Sequence, residues 1–590
     1  MKHDVLQRTF HNPHKLERSN FVKWLFRNPW YFPLCFFQFI TIIYRGYLNR
    51  LRMKFEQDIH RRGKQHPVWI HELRNPYFSN KTCILIYPIY KNNVLESEKS
   101  GTLIQNITDG TDDIETVFSQ HRWKHCQKAI FSSDNDIIAA IKLCVKWIQN
   151  PPHKSDPAWE TYSVAERVSN LLVLLSVHPI GRSQISDELL SFFLKESITW
   201  ILNHLEYYGE NQTNNHILNN ARALVLGGTV IQEEAIVEFG LQLFTRMSKK
   251  IFLNSGFVRE RSSHYQVIIN GWLLDTLHFG SIGIVQGIVA SEAFTIMEKL
   301  AEKVSLVTFN LYNVLDGCES QIGDISPDSE PRISLKRLIY LYPDRFVIPI
   351  IRNNVIDCDG WIALTNGEHR VLSVYQSSRF PSNIPTHGHS DLGHVIWIWK
   401  GVCVLADPGR ARYTNGTRWI YQSRSCGHNT LCLNGMGPLA ESLTDSGNRF
   451  ILPYGKAKID HQVEQDNFSI QHNGFTRILG VGMHKRTISL LNNKLKIEDT
   501  VEGNGFVTIQ LSFHFDPEFK PVINECFRIE SILHKFELSF NTSTSVAPDT
   551  IWENYDFTSI YGEVRPANVL RVSWRLGLPF CITTILSEFQ

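Results

Sequence analysis

The feature that most restricts how this 590-residue chain can fold is a change of hydrophobic period part-way along it. From about Asp134 to Leu315, apolar residues recur every three or four positions, as in NDIIAAIKLCVKWIQN and EEAIVEFGLQLFTRMSKKIFL. That spacing is the signature of amphipathic helices. Short polar breaks such as NPPHKSDP and YGENQTNN separate the segments, which makes successive helices antiparallel neighbours in a bundle, solenoid or toroid. After GCESQIGDISPDSEPR (Gly317–Arg332) and a short helical piece, ISLKRLIYLY, the pattern changes. From about Gly360 the runs are short, alternating and β-branched: GWIALTNG, HVIWIWKGVCVLADPG, FVTIQLSFHFDP, VLRVSWRLGLP. Closely spaced turn residues between them indicate antiparallel sheets in a stack or sandwich. The chain therefore reads as a helical half followed by a β half, divided as 1–60, 61–330 and 331–590.

Charge and cysteine usage narrow the function. Sixty basic and 58 acidic side chains nearly cancel, and no long run of one sign occurs, which argues against a nucleic-acid partner. A locally basic cleft for an acidic substrate stays compatible with that balance. The 11 cysteines are odd in number and include no C-x-x-C pair, so neither a disulfide framework nor a cysteine-based zinc site is expected. WYFPLCFFQFITIIY (residues 30–44) is apolar but shorter than the roughly 20 residues of a membrane span. It reads as a buried or interfacial helix with possible peripheral membrane contact, an uncleaved anchor being the other reading; no small-residue cleavage site follows it.

Four stretches carry residue types suited to chemistry. In NQTNNHILNNARALVLGG, Asn214, Asn215 and His216 open an apolar helix. Asn there is ordinarily an N-cap, while the functional alternative is a polar pair held where backbone N–H groups favour an anion. In GFVRERSSHYQVIINGWLLD, His264 and Tyr265 stand on a first helical turn beside Arg259, Glu260 and Arg261. Tyr265 reads as core packing, or as a proton carrier whose hydroxyl ionises more readily beside those cations. In THGHSDLGHVIWIWKGVCVLADPG, His387, His389, Asp391 and His394 precede an apolar run that ends at Asp407. If the first part is extended, His387, His389 and Asp391 share one face. YQSRSCGHNTLCLNG adds His428 and Asn429. Two imidazoles and a carboxylate from neighbouring strands suit zinc, with acid–base catalysis and structural hydrogen bonding as the other readings.

Taken in order, AWETYSVAERVSNLL, TNNHILNNARALVLGG, GFVRERSSHYQ, QIGD, HGHSD, VLADPGRARYTNGTRW and RSCGHNTLCLNG resemble heparinase II/III-like proteins, a group of polysaccharide lyases and their relatives. The resemblance runs from about Trp159 to Gly435. It implies an α+β multidomain fold: an incomplete N-terminal (α/α) toroid, then an antiparallel β-sandwich domain, with the active site between them. It implies that Asn215, assisted by His216, neutralises a substrate carboxylate, that Tyr265 transfers protons, and that His387 is its partner. It also implies a structural zinc ion on His389, Asp407 and His428. The expected partner is an acidic, uronic-acid-containing polysaccharide or oligosaccharide, cleaved by β-elimination. One departure stands out: Gln266 follows Tyr265 where lyases of the group often have His. A glycan-binding or assembly factor without turnover, and a hydrolase using the same cleft, are the competing functions. Lacking a recognisable export signal, the chain is expected in the cytoplasm or at the inner membrane rather than outside the cell. Its oligomeric state is not legible.

Overall fold

The computed structural model describes residues 13–31 and 113–589, apart from 208–212, 286–290, 347–354, 368, 376–386, 414–420, 441–456, 465, 492–493, 523–526 and 545. Most of the apolar segment 30–44 and of the 1–60 region thus lies outside the described residues. Among the described residues, no helix is long and apolar enough to cross a membrane. The described N-terminal helix, Pro13–Arg27, lies on the β half: Asn20 Nδ2 and Arg27 Nη2 both donate to the Arg477 carbonyl, at 3.2 Å.

The helical half is built around helices buried on nearly every side, a few charged and amide side chains included. Thr161–Val177 and His216–Val230 are almost wholly buried, which suits helices enclosed by others. The second packs on the first and on Glu234–Ile251 and Ser263–Val285. Glu234–Ile251 instead has a buried stripe and a charged outer face, as its three-and-four spacing predicts. The inner helices carry one buried ionic knot. Arg337 donates to both oxygens of Asp275 at 2.7 and 2.6 Å, Arg222 approaches at 2.7 Å, and Tyr342 donates as well. Removing one partner of such a knot costs about 3–5 kcal/mol, because it strands a buried charge. Arg337 belongs to the helix Pro331–Leu341, whose Leu338 and Leu341 join the helical core. That piece, placed at the head of the 331–590 region from sequence, packs with the helices.

Among the described residues, the β half contains three antiparallel sheets. The first has five strands in chain order: Val355–Cys358, Trp361–Asn366, His369–Val374, Val395–Trp399 and Val402–Leu405. A four-stranded sheet (Asp549–Phe557, Arg565–Gly577, Phe506–His514, Leu431–Leu433) and an eight-stranded sheet centred on Val481–Leu491 and Lys494–Gly503 complete it. The five-stranded sheet is covered on both faces, which explains the uninterrupted apolar run VIWIW. Val395, Trp397 and Trp399 point into the core shared by the sheets. Ile396 and Ile398 point the other way, toward Val307, Leu311 and Val314 of the helix Glu292–Val314. This two-sided sheet docks the halves against each other and sets the cleft between them.

Candidate active site

At the junction lies a polar cleft of about 250 Å³, lined by Glu115, Arg122, Tyr162 and His216 from the helical half. Tyr265, Asp324, His387, Arg410 and Tyr413 complete its wall.

Each group is placed by a local device. His216 begins its helix, and its backbone N–H is bonded by Asn214 Oδ1 at 3.3 Å. Asn215 is not the extended N-cap its position suggested: its backbone is helical (φ −59°, ψ −24°) and its side chain makes no capping bond. The Asn215 side chain is 1% exposed and does not line the cleft, and neither of its polar atoms has a hydrogen-bond partner among the described residues. A buried amide in that state costs about 1–3 kcal/mol per unpaired group. His216 Nδ1 lies 2.7 Å from Glu206 Oε1. Burial would lower this imidazole, but the Glu206 charge and hydrogen bond raise it to about 9, so it is a cation at neutral pH.

Tyr265 sits in a first turn capped by Ser262, whose Oγ accepts the Tyr265 N–H at 3.1 Å. Its ring is stacked on His387, centroids 3.7 Å apart and planes 6° from parallel. Its hydroxyl is 3.1 Å from that of Tyr413, which donates to the Ile325 carbonyl at 3.0 Å. The expectation that neighbouring cations make Tyr265 acidic is corrected here. Burial, with Asp328 nearby, holds the phenol well above its usual value, so the resting side chain is a protonated acid. Gln266 does not reach the cleft: its Oε1 takes the Val258 N–H at 2.8 Å and its Nε2 bonds Gly256 and Thr308. His264 is likewise structural, bonded to Ser326 and Ser334, and burial pushes it down to about 3.

His387, His389 and Asp391 do not lie on a strand as the alternation suggested. Residues 387–394 form bends and turns, and the strand begins only at Val395. The two imidazoles nevertheless converge, because Asp324 takes one on each oxygen. His387 Nδ1 is 3.1 Å from its Oδ2, and His389 Nε2 is 3.0 Å from its Oδ1. Arg410 adds a contact at 3.3 Å. Burial alone would raise the Asp324 carboxyl; Arg410 and the two histidine bonds outweigh it and hold the group well below the usual carboxylate range. Gly323 makes the approach possible: its φ is +73°, and a Cβ there would meet the His387 carbonyl at 2.6 Å. On the far side, His387 Nε2 faces Glu260 Oε2 at 3.5 Å, and Glu260 Oε1 accepts the Asn215 N–H at 3.0 Å. Burial raises the Glu260 carboxyl despite these partners. Asn215, Glu260, His387, Asp324 and His389 thus form one continuous polar chain.

His389, Asp407 and His428 are fully buried, and one ligand atom from each lies within 4.8 Å of the others. Asp407 spends one oxygen on its own D-P-G turn, accepting the Gly409 N–H at 2.8 Å. Its Oδ2 sits 3.2 Å from both His428 Nδ1 and His394 Nε2. Two imidazoles and a carboxylate with an oxygen oriented toward them fit zinc. Asp391 is buried outside this trio.

Asp324, Glu260, Arg122, Arg410 and Tyr413 were given no role from sequence. QIGD and DPGRARY had marked Asp324, Arg410 and Tyr413 as part of a pattern; nothing in the sequence marked Arg122.

Residues 357–555 match the family model described as heparinase II/III-like, C-terminal. The β half is therefore similar in sequence to the C-terminal region of heparinase II/III-like proteins. Among solved structures, the chain is similar to heparinase III at 17% identity, with 83% of this chain and 80% of that one covered and a TM-score of 0.60. It is also similar to a mutant heparan sulfate lyase from Pedobacter heparinus at 14% identity, covering 83% and 79%, TM-score 0.52. These likenesses establish the shared toroid-plus-sandwich fold. A search among curated proteins finds no match.

Proposed function

We propose that the protein is a polysaccharide lyase that cleaves an acidic, uronic-acid-containing chain by β-elimination. The observation that carries the reading is the Tyr265–His387 stack inside a cleft that also presents Arg122, His216 and Arg410. Three cationic groups there suit a carboxylate-bearing sugar, and the stacked pair supplies an acid and a base within one ring's thickness.

In the proposed reaction, a base removes the proton from the carbon bearing the carboxylate. The electrons form a carbon–carbon double bond as the C4–O bond breaks, and the departing oxygen takes a proton. Tyr265, protonated at rest, is the donor to that oxygen. His387, oriented by Asp324 and Glu260, is the base where the two reacting bonds lie on opposite faces; where they share a face Tyr265, having first lost its own proton, takes the substrate's and returns it to the departing oxygen. His216 stabilises negative charge as the carboxylate becomes enolate-like, with the buried Asn215 amide beside it as a second donor once substrate binding opens its side of the wall, and fixed donors of this kind act most strongly on charge that develops in the transition state. His389, Asp407 and His428 would hold zinc, whose contribution is a structural cross-link between the loop before Val395 and the segment before Leu431.

A panel of uronic-acid polymers, followed by near-ultraviolet absorbance and by reducing ends, tests this reading. Elimination raises both together. Hydrolysis raises reducing ends alone, and a binding protein raises neither.

A further inference from the structure

A cluster of metal-ligating side chains lies in the helical half, outside the cleft. His125 and Cys126, on the short helix Lys124–Ala129, meet Cys144 on the helix Asp134–Gln149. Both thiols are fully buried, at 0% exposure, while His125 is partly exposed. The two sulfurs are 3.6 Å apart, and Cys144 Sγ lies 3.5 Å from His125 Nε2.

Those distances carry information. Zinc bound at about 2.3 Å to sulfur and about 2.0 Å to imidazole nitrogen forms a tetrahedron with S···S edges of about 3.8 Å and S···N edges of about 3.5 Å. Two edges of the group therefore already match such a figure, and the three ligand atoms all lie within 4.8 Å of one another. Two buried cysteines used merely as small hydrophobes would not need an imidazole nitrogen aimed at one sulfur. The same ring has the Ala140 carbonyl as a hydrogen-bond partner, the kind of outer contact that orients a ligating histidine.

We propose that His125, Cys126 and Cys144 form a structural zinc site, separate from the His389–Asp407–His428 group. Two thiolates and a neutral imidazole cancel the charge of the ion, which suits burial. The site fixes the helix Lys124–Ala129 to its neighbour, and Arg122, two residues upstream, is one of the groups lining the cleft.

The test uses the full chain loaded with cobalt in place of zinc. Thiolate-to-cobalt charge-transfer absorption in the near ultraviolet is expected. It disappears in the Cys126→Ser/Cys144→Ser double variant and persists in His428→Ala, which touches no thiolate. Zinc content is expected to fall by one ion per chain in the double variant. Should that variant fail to fold, alkylation of the unaltered chain decides: Cys126 and Cys144, mapped by mass spectrometry, react slowly with zinc present and at least tenfold faster after chelation. Absence of the charge-transfer band, its survival in the double variant, alkylation indifferent to chelation, or a Cys126–Cys144 disulfide in the zinc-treated chain overturns the proposal.

Discussion

Tyr265 and His387 lie face to face, their ring centroids 3.7 Å apart, although one stands at the start of a toroid helix and the other in a loop of the β half. The pair therefore exists only while the halves are docked. The buried isoleucines of the two-sided sheet hold the pair together through that docking.

Replacing Tyr265 with Phe removes one oxygen and the bond to Tyr413. The fold is expected to survive, because the stacked ring remains. Turnover on the true substrate falls by about two orders of magnitude or more, the usual scale for losing a positioned proton carrier. Binding changes little, since Arg122, His216 and Asn215 are untouched. Single-turnover kinetics beside equilibrium binding separates the two.

Asp324 joins both sites, so its loss is felt in both. Asp324→Asn keeps the shape but disturbs its bonds to His387 and His389. The expected result is a fall in turnover together with a roughly 10–100-fold loss of zinc affinity, the range for outer-shell carboxylates. Turnover and competition with a zinc chelator are measured on the same preparation. A change in neither removes Asp324 from the account.

His216 supplies the pH dependence. Its folded value, about 9, lies above the ordinary imidazole value of 6.5. A raised value means the cation is favoured in the folded state. Its contribution to stability is therefore full below about pH 6.5 and is lost as pH rises through about 9. Binding of a carboxylate-bearing substrate follows the same sign, and KM rises as pH passes about 9. Glu206→Gln moves that inflection down toward the ordinary imidazole range. An inflection unmoved in this variant assigns the pH dependence to another group.

The division into a helical half and a β half was legible because period is a local property, visible in runs such as LQLFTRMSKKI and VIWIW. The histidines and Asp407 were legible because a motif concentrates them. The geometry of H-G-H was not. Strand alternation was carried backward from Val395, whereas Gly388 packs close against Arg261 and Gly393 turns the chain at φ +75°. Asp324 and Glu260 act on His387 across 63 and 127 positions of sequence, through contacts that only the docked halves create. Arg122 was hidden by distance within the helical half: its carboxylate partner Asp328, at 2.6 Å, lies 206 positions away.

Zinc on His389, Asp407 and His428 is tested by His428→Ala. The variant is expected to lose the ion from this group and to unfold at lower temperature in the β half, while helix content persists. Elemental analysis with circular dichroism reads both. Unchanged zinc in a folded His428→Ala chain removes the assignment.

The central claim, elimination at the Tyr265–His387 pair, is tested most directly by near-ultraviolet absorbance during turnover of a uronic-acid polymer by the unaltered chain and by Tyr265→Phe side by side. The account predicts that absorbance grows with the number of chains cut in the first, and grows about a hundredfold or more slower in the second. Cleavage without absorbance, or a folded Tyr265→Phe chain that eliminates at the unaltered rate, would contradict it.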